Sequence, residues 1–412
     1  MEEIWKCHKD AEVFLEEGLK KSLNPWLQKF SERLEQETST RLFDWLSHIT
    51  LKEAPPGFEK EAEGVFYHPG AHLPRVVIGE KPHLGIMAED IASFLKIHNL
   101  HASTEGTPYS PYREAKLDGF SIVERRGTRS LQPISEPKEK GDLYLKWKEK
   151  LSTRDRTEDF NPKQIIKDLG QGRAASLFLE VEREFWQSKN QAGQIQKKRQ
   201  DALGLGWANH DHHTFRSTRV GFKKLVNLFE ELGFYCRERY YAGKEAGWGA
   251  QIMEQRDAFV VVFLDVDLSP DEIAIDFAHA ELPDRKELGT IGLWCALHGD
   301  SIHEAGMHHL EAQFLFENLS KDLVKDGVEM MAPFSHFNYL KQAFTKGEHW
   351  KVAPERIENL LKKGQISEEQ AKKFAKEGAL GSHLENLERR EGYKGFNQKN
   401  VSLIIKKTDP RS

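Results

Sequence analysis

The chain has 412 residues, 38% of them hydrophobic and 30% charged, a length that points to two or three domains or modules rather than one core. Its formal net charge of −5 leaves no basic excess of the kind a nucleic-acid-binding face requires. Its three cysteines, Cys7, Cys236 and Cys295, form no CxxC pair, which argues against a disulfide framework or a thiolate zinc site and fits a reducing compartment.

The first segment, MEEIWKCHKDAEVFLEEGLKK, has neither the basic start nor the continuous apolar stretch of a signal peptide. No run approaches the ~18 apolar residues of a membrane span. A cytoplasmic protein without membrane or nucleic-acid partners is expected. Residues 1–50 read as helices: Trp5, Ala11, Phe14, Leu15, Leu19, Leu23 and Leu27 recur at helical spacing, and 41–49 resumes it. APPGF (54–58) breaks the pattern. Over 65–132 a strand (RVVIG), a helix (EDIASFLKIHNL) and a second strand (GFSIVERRG) form one β-α-β-type unit. Charged connections and helices follow, and KNQAGQIQKKRQDA (189–202) is the most polar segment, read as a domain boundary. The division is thus 1–200 and 201–412.

In the second part, NHDHHTFR reads as a strand and STRVGFKKLVNLFEELG as a helix. Ser217 or Thr218 can cap that helix, Leu225, Leu228, Phe229 and Leu232 share a face, and Gly233 closes it. Three strand candidates follow, FYCRERYYA, GAQIMEQ and DAFVVVFLDVDL. A further unit begins at GMHHLEAQF, with the helix LFENLSKDLVKDG, the strand VEMMAPF, a helical insertion over about 350–380 and the strand GSHLENLERREG. The fold class is α+β, with β-α-β-β-β order repeated and almost no repetition of residues.

Three of these strands carry a His or Glu among apolar neighbours: HDHHTFR, GMHHLEAQF and SHLENLERR. Two neutral imidazoles and one carboxylate on one face are what a non-haem iron(II) centre with open positions requires. Alternation along a strand puts His212 and His213 on opposite faces. His210, in phase with His212, reads as a supporting donor or a surface residue. His298 and His303 read as loop residues and Tyr240 and Tyr241 as packing. Asp265 and Asp267 have too few oxygen neighbours for calcium.

The stretch from His212 to Leu268 contains H-x-x-x-R (His212 to Arg216), FEELG and RYYAGKEAG, and the C-terminal run is GSHLENLERREGYKGFNQKNVSLIIKK. Together they resemble the 2-oxoadipate dioxygenase/decarboxylase (hydroxyglutarate synthase) family of the vicinal oxygen chelate superfamily, over roughly residues 205–405. The resemblance implies a vicinal oxygen chelate-type barrel of βαβββ units with added N-terminal and inserted helices. It implies an oxidoreductase in which Fe(II), or another divalent metal, is held by His212, His308 and Glu385, with His309 and Glu388 as the neighbours that a register error would substitute. Arg216 would clamp the substrate, a small 2-oxo dicarboxylic acid such as 2-oxoadipate, which with dioxygen gives a 2-hydroxy acid and carbon dioxide. KPHLGIMAEDIASFL and GFSIVERRG resemble a module of the same superfamily, with His83 and Glu124 at ligand-like positions and His98 and His101 near them, read as a structural partner rather than a second metal centre. Two alternatives stay open: another metal-dependent member of the superfamily (isomerase, lyase or ring-cleaving dioxygenase), and a metal-free module that binds a small ligand or a protein.

Overall fold

The computed structural model of the chain describes residues 2–396 and 408–411; Asn400 and the run VSLIIKK, part of the C-terminal resemblance, lie outside the described residues. Helices α1 (Glu2–Ser22) and α2 (Pro25–Arg33) come first. The 41–49 stretch does not continue them, because Leu46–Leu51 is strand β1. Leu46–Ile49 are buried and Thr50 and Leu51 half-buried, and the strand pairs on both sides, with β4 and β5. Next are β2 (Glu59–Ala62), β3 (Val65–Tyr67), β4 (Arg75–Ile78), β5 (His83–Met87), α3 (Ile91–Ile97), β6 (Thr104–Glu105), β7 (Tyr112–Lys116) and β8 (Phe120–Arg125). The sheet therefore begins at residue 46 rather than near 65. Four helices link the halves: α4 (Lys138–Ser152), α5 (Lys163–Leu169), α6 (Gln171–Ser188) and α7 (Gln191–Asp201). The polar 189–202 stretch is thus mostly the helix α7, capped by the Asn190 side chain on Gly193 N–H, with Gln196 and Gln200 buried in hydrogen bonds.

The second half contains β9 (His210–Arg216), α8 (Arg219–Glu231), β10 (Tyr235–Tyr241), β11 (Trp248–Gln255), β12 (Val260–Asp267), α9 (Thr290–His298), β13 (His309–Gln313), α10 (Phe316–Lys325), β14 (Ser335–Phe337), β15 (Leu340–Phe344), β16 (Glu348–Trp350), α11 (Pro354–Lys362), α12 (Glu368–Glu377) and β17 (Ala379–Arg389). The strand expected at VEMMAPF forms a few residues later, as β14.

The two sheets run β2-β3-β4-β1-β5-β8-β7-β6 and β10-β11-β12-β9-β13-β17-β15-β14, with β16 pairing only to β17. Pairing sense matches position by position. The steps β4–β1 and β12–β9 are parallel, as are β5–β8 and β13–β17, and the steps between are antiparallel. The fold is mixed α and β with two large mixed sheets. Neither sheet closes into the expected barrel. Among the described residues each is open, with β2 and β6 at the edges of one and β10 and β14 at the edges of the other.

In the second sheet one face packs on α8, α10 and α6. Phe215, Val262, Leu264, Leu310 and Leu384 meet Phe222, Leu225, Phe229, Leu319 and Phe178 in one buried cluster. Thr218 caps α8 by accepting from Gly221 N–H, and Gly233, at φ +85°, turns the chain out of it. The opposite face is covered by α9, whose Ile291, Trp294 and Cys295 pack on Tyr240, Ala250 and Ile252. The N-terminus of α9 is set by Asp267, whose carboxylate accepts from the N–H groups of Gly289, Ile291 and Gly292 at 2.8–3.0 Å. No helix is long and apolar enough to cross a membrane among the described residues.

Phe229 is fully buried, with the rings of Phe178, Phe215 and Phe234 within 6.1 Å. Phe229→Ala should lower unfolding stability by about 3–5 kcal/mol, read as a lower urea midpoint.

Candidate metal centre and anion clamp

Strand β9 presents His212, Thr214 and Arg216 to the α9-covered face by simple alternation. Its neighbours fix what they meet. His212 lies opposite Glu311 on β13, and Glu311 lies opposite Glu385 on β17. His309, two residues before Glu311, shares the face. His212, His309 and Glu385 each offer a ligand atom within 4.8 Å of the others, and all three are buried. His309 Nε2 is 3.2 Å from Glu385 Oε2 and 2.9 Å from Thr214 Oγ1.

His212 and Glu385 therefore come together as the resemblance implies, but the second imidazole is that of His309. His308 precedes β13. Its Nδ1 is taken by the Gly381 carbonyl at 2.9 Å, and its ring stands edge-on to Trp294 at 5.5 Å. One residue of register separates the two histidines, and strand alternation gives them different surroundings. Glu388, the alternate for Glu385, is engaged elsewhere: it accepts from Phe316 N–H at 2.8 Å and from Arg390 at 2.8 Å.

Two groups that the sequence reading passed over complete the site. The carboxylate of Glu311 contacts His212 Nε2. Gln342 on β15 donates to both Glu311 Oε1 and Glu385 Oε1 at 3.0 Å. Alternation from His309 in HHLEAQ was the signal that could have found Glu311; nothing local marks Gln342. On the outer side, Asp211 accepts from His212 Nδ1 at 3.2 Å and is itself gripped by Arg389 at 3.0 and 3.1 Å. This is the carboxylate-to-imidazole support that orients a metal-binding histidine.

The electrostatics fit a cation. Burial first, and then the Glu385 charge, hold the Glu311 carboxyl well above the usual range. Burial pushes Glu385 up to about 7. Burial lowers both His212 and His309, the latter to about 3, so both imidazoles are neutral and can donate lone pairs. His309 Nδ1 is buried without a hydrogen-bond partner, and Glu311 Oε2 lies against His212 Nε2. Two neutral imidazoles and one acid, His212, His309 and Glu385, constitute a donor set for a divalent metal, while Glu311 groups with His212 and Asp211.

Four residues along β9, about 13 Å of extended chain, Arg216 is buried over the Trp294 ring, 5.4 Å from its centroid. Its Nε is 3.9 Å from Asp265, too long for a hydrogen bond, and Nε and Nη1 have no partner. Asp265 Oδ1 and the Tyr240 and Tyr241 hydroxyls are likewise buried and unpartnered. Burial pushes Asp265 up to about 7 and Arg216 down to about 10.

His210, His213, His298 and His303 are engaged elsewhere. His210 Nδ1 lies 2.8 Å from the Trp207 carbonyl, and His213 is buried against Arg183 at 3.1 Å. His298 bonds the Leu380 carbonyl and His303 bonds Asp159. In the first sheet, His83 bonds Ser121 Oγ at 2.6 Å. Glu124 is bound by Arg113, Arg126 and Ile91 N–H. His98 bonds the Leu203 carbonyl and His101 is exposed. The structure does not bring these together.

No family model and no curated protein matches the chain. Solved structures do. A variant of 4-hydroxymandelate synthase from Streptomyces coelicolor aligns over 84% of this chain and 85% of its own, at 11% identity and TM-score 0.32. Methylmalonyl-CoA epimerase from Mycobacterium tuberculosis aligns over 44% of this chain and 88% of its own, at 11% identity and TM-score 0.25. A Streptomyces coelicolor methylmalonyl-CoA epimerase in complex with 2-nitronate-propionyl-CoA aligns over 44% and 96%, at 13% identity and TM-score 0.24.

His309→Ala should abolish stoichiometric binding of a divalent metal, measured by elemental analysis after anaerobic loading, while His308→Ala retains it. Metal at 100 times its dissociation constant should also stabilise the wild type by about 2.7 kcal/mol, a melting-temperature rise that His309→Ala loses.

Proposed function

We propose that this chain is a non-haem Fe(II)-dependent dioxygenase/decarboxylase acting on a small 2-oxo dicarboxylic acid such as 2-oxoadipate. The observation that carries the reading is one shared face: His212, His309 and Glu385 converge on it, and on the same strand as His212 a buried arginine keeps two N–H donors free. A guanidinium with unpartnered donors in a dry site is built for a carboxylate, which it can hold with two parallel hydrogen bonds.

When bound by His212, His309 and Glu385, a ferrous ion would supply the electrons that activate dioxygen beside the 2-oxo acid. The chain's own residues do the rest. Arg216 holds the distal carboxylate and so sets the distance of the 2-oxo end from the metal ligands. Asp211 holds the proton on His212 Nδ1 and leaves Nε2 as the donor atom. Gln342 fixes the Glu385 carboxylate. Phe263 and Phe396, with ring centroids 4.4 and 5.5 Å from that of His212, exclude water from the ligand atoms. The Tyr240 hydroxyl and Asp265 are available to the substrate's polar atoms near Arg216.

A second reading has its own observation. Glu311, in contact with His212 but not grouped with His309 and Glu385, is a carboxyl beside the ligands, a placement that suits a Lewis-acid isomerase or lyase in which one carboxylate moves a proton. Oxygen consumption separates the two. With Fe(II) loaded anaerobically, a panel of 2-oxo dicarboxylic acids should give one carbon dioxide per dioxygen consumed; turnover without oxygen uptake establishes the second reading instead. Arg216→Ala should lower kcat/KM by about two orders of magnitude, the equivalent of about 3 kcal/mol for an unpaired buried charge, with the metal content unchanged.

A further inference from the structure

The two sheets share a defect that allows them to be compared residue by residue. In the second sheet β9 pairs with β13 as His212 to Glu311 and then His210 to Ala312, so that Asp211 is the extra residue of a bulge. In the first sheet β1 pairs with β5 as His48 to Gly85 and then Leu46 to Ile86, so that Ser47 is the extra residue. With the bulges superposed, the row Val261–His212–Glu311–Glu385 corresponds to Arg75–His48–Gly85–Ser121. His83 then takes the place of His309, and Arg125, four residues after Ser121, takes the place of Arg389, four residues after Glu385.

This correspondence exposes a missing partner. Arg389 closes a two-pronged ion pair on Asp211, the bulge residue. Arg125 has serine at the corresponding bulge. Ser47 Oγ is buried and unpartnered, and so is Arg125 Nη1. Among the described residues no carboxylate lies within ion-pairing distance of Arg125; its one hydrogen bond goes to Met87 Sδ at 3.7 Å. The neighbouring Arg75 and Arg129 share one carboxylate, that of Glu61. The guanidinium is nonetheless held in place. Arg125 and Arg75 both lie over the ring of Phe259, at 3.8 and 3.7 Å. Phe259 itself adopts φ +53° in the turn between β11 and β12, a conformation that costs a bulky residue free energy and persists only when its surroundings impose it. Ser47, Arg125 and Phe259 all line one cavity of about 760 Å³ between the two halves.

We infer that this cavity is a second ligand site, specific for the carboxylate of a small organic acid, which occupies beside Arg125 and Ser47 the place that the Asp211 carboxylate occupies beside Arg389. A half-buried guanidinium without an ion-pair partner of its own is costly, and burial together with the Arg75 charge lowers Arg125 to about 9 despite the attraction of Glu61. A carboxylate ligand removes that cost. The cavity reaches Asp211, Arg389 and Phe396 on the outer side of the metal centre, but none of His212, His309 and Glu385 lines it, and the site is independent of the reaction assigned to them.

Succinate and inorganic phosphate serve as probes on the metal-loaded full chain, titrated calorimetrically at constant ionic strength in chloride. Succinate should bind saturably, and this binding should survive Arg216→Ala, which removes only the carboxylate clamp of the metal centre. Arg125→Gln should weaken it at least tenfold. Ser47→Asp, which supplies the missing acid from within, should abolish it and raise the melting temperature of the ligand-free protein above that of the wild type. The inference is overturned if all succinate binding disappears with Arg216→Ala, or if Arg125→Gln and Ser47→Asp both leave it unchanged. Saturable binding of phosphate with succinate inert overturns the assignment to a carboxylate.

Discussion

Two carboxylates, Glu311 and Glu385, face each other across neighbouring parallel strands, buried away from water, and the rest of the second half is organised around that pair. Two ionised carboxylates this close inside a protein would repel by several kcal/mol, and burial together with the Glu385 charge accordingly holds the Glu311 carboxyl well above the usual range, so that it keeps its proton. Gln342 donates one amide to both acids, which orients them without neutralising them. The two imidazoles beside them are neutral. In the proposed reading a divalent cation takes the place of that proton, held by His212, His309 and Glu385.

The surroundings follow from that demand. Arg389 could have neutralised the pair but is turned away from it by Asp211, which holds both prongs of its guanidinium. The same Asp211 orients His212, so one ion pair spends the nearest positive charge and fixes the nearest ligand. The rings of Phe263 and Phe396 then keep water out. Arg216, the other buried cation on this face, stands four residues along β9, where it meets the uncharged end of the site. Asp265 lies near it but not in hydrogen-bond contact, and its burial favours the protonated form, which leaves the guanidinium charge available.

The legible part of this arrangement was local. The helix STRVGFKKLVNLFEELG and the strands on either side of it announce themselves through caps, periodicity and β-branched runs, and His212 and Arg216 follow from strand alternation and the H-x-x-x-R spacing. What was not legible depends on register between strands distant in sequence. Whether His308 or His309 faces Glu385 is fixed by where β13 begins to pair with β9, at Thr214 opposite His309; the alternation of Leu310 and Ala312 with Glu311 and Gln313 favours His309, but which face meets Glu385 depends on pairing with distant strands. The apolar spacing of 41–49 fits a helix and a buried strand equally well. It becomes β1 because β4 and β5 offer hydrogen-bonding edges on both sides. The polar stretch 189–202 packs as a helix because its glutamines bond buried backbone and side-chain groups, a tertiary compensation that composition cannot reveal.

The comparison of the halves shows how little of the scaffold is committed to metal chemistry. Both sheets have the same strand order, pairing sense and bulge, and both keep two histidines at corresponding places. The first sheet has Gly85 and Ser121 where the second has Glu311 and Glu385. Gly85 lies so close to His48 that any side chain would overlap the imidazole, so an acid could not be restored there without moving the ring. With both carboxylates gone, nothing in the row attracts a cation. His48 is driven down to about 3 by burial and so stays neutral, and Arg75, in the place of apolar Val261, makes the row positive. The same backbone geometry thus concentrates negative charge in one half and positive charge in the other. The sign is set at the residues opposite His48 and His212, rather than by any difference in fold.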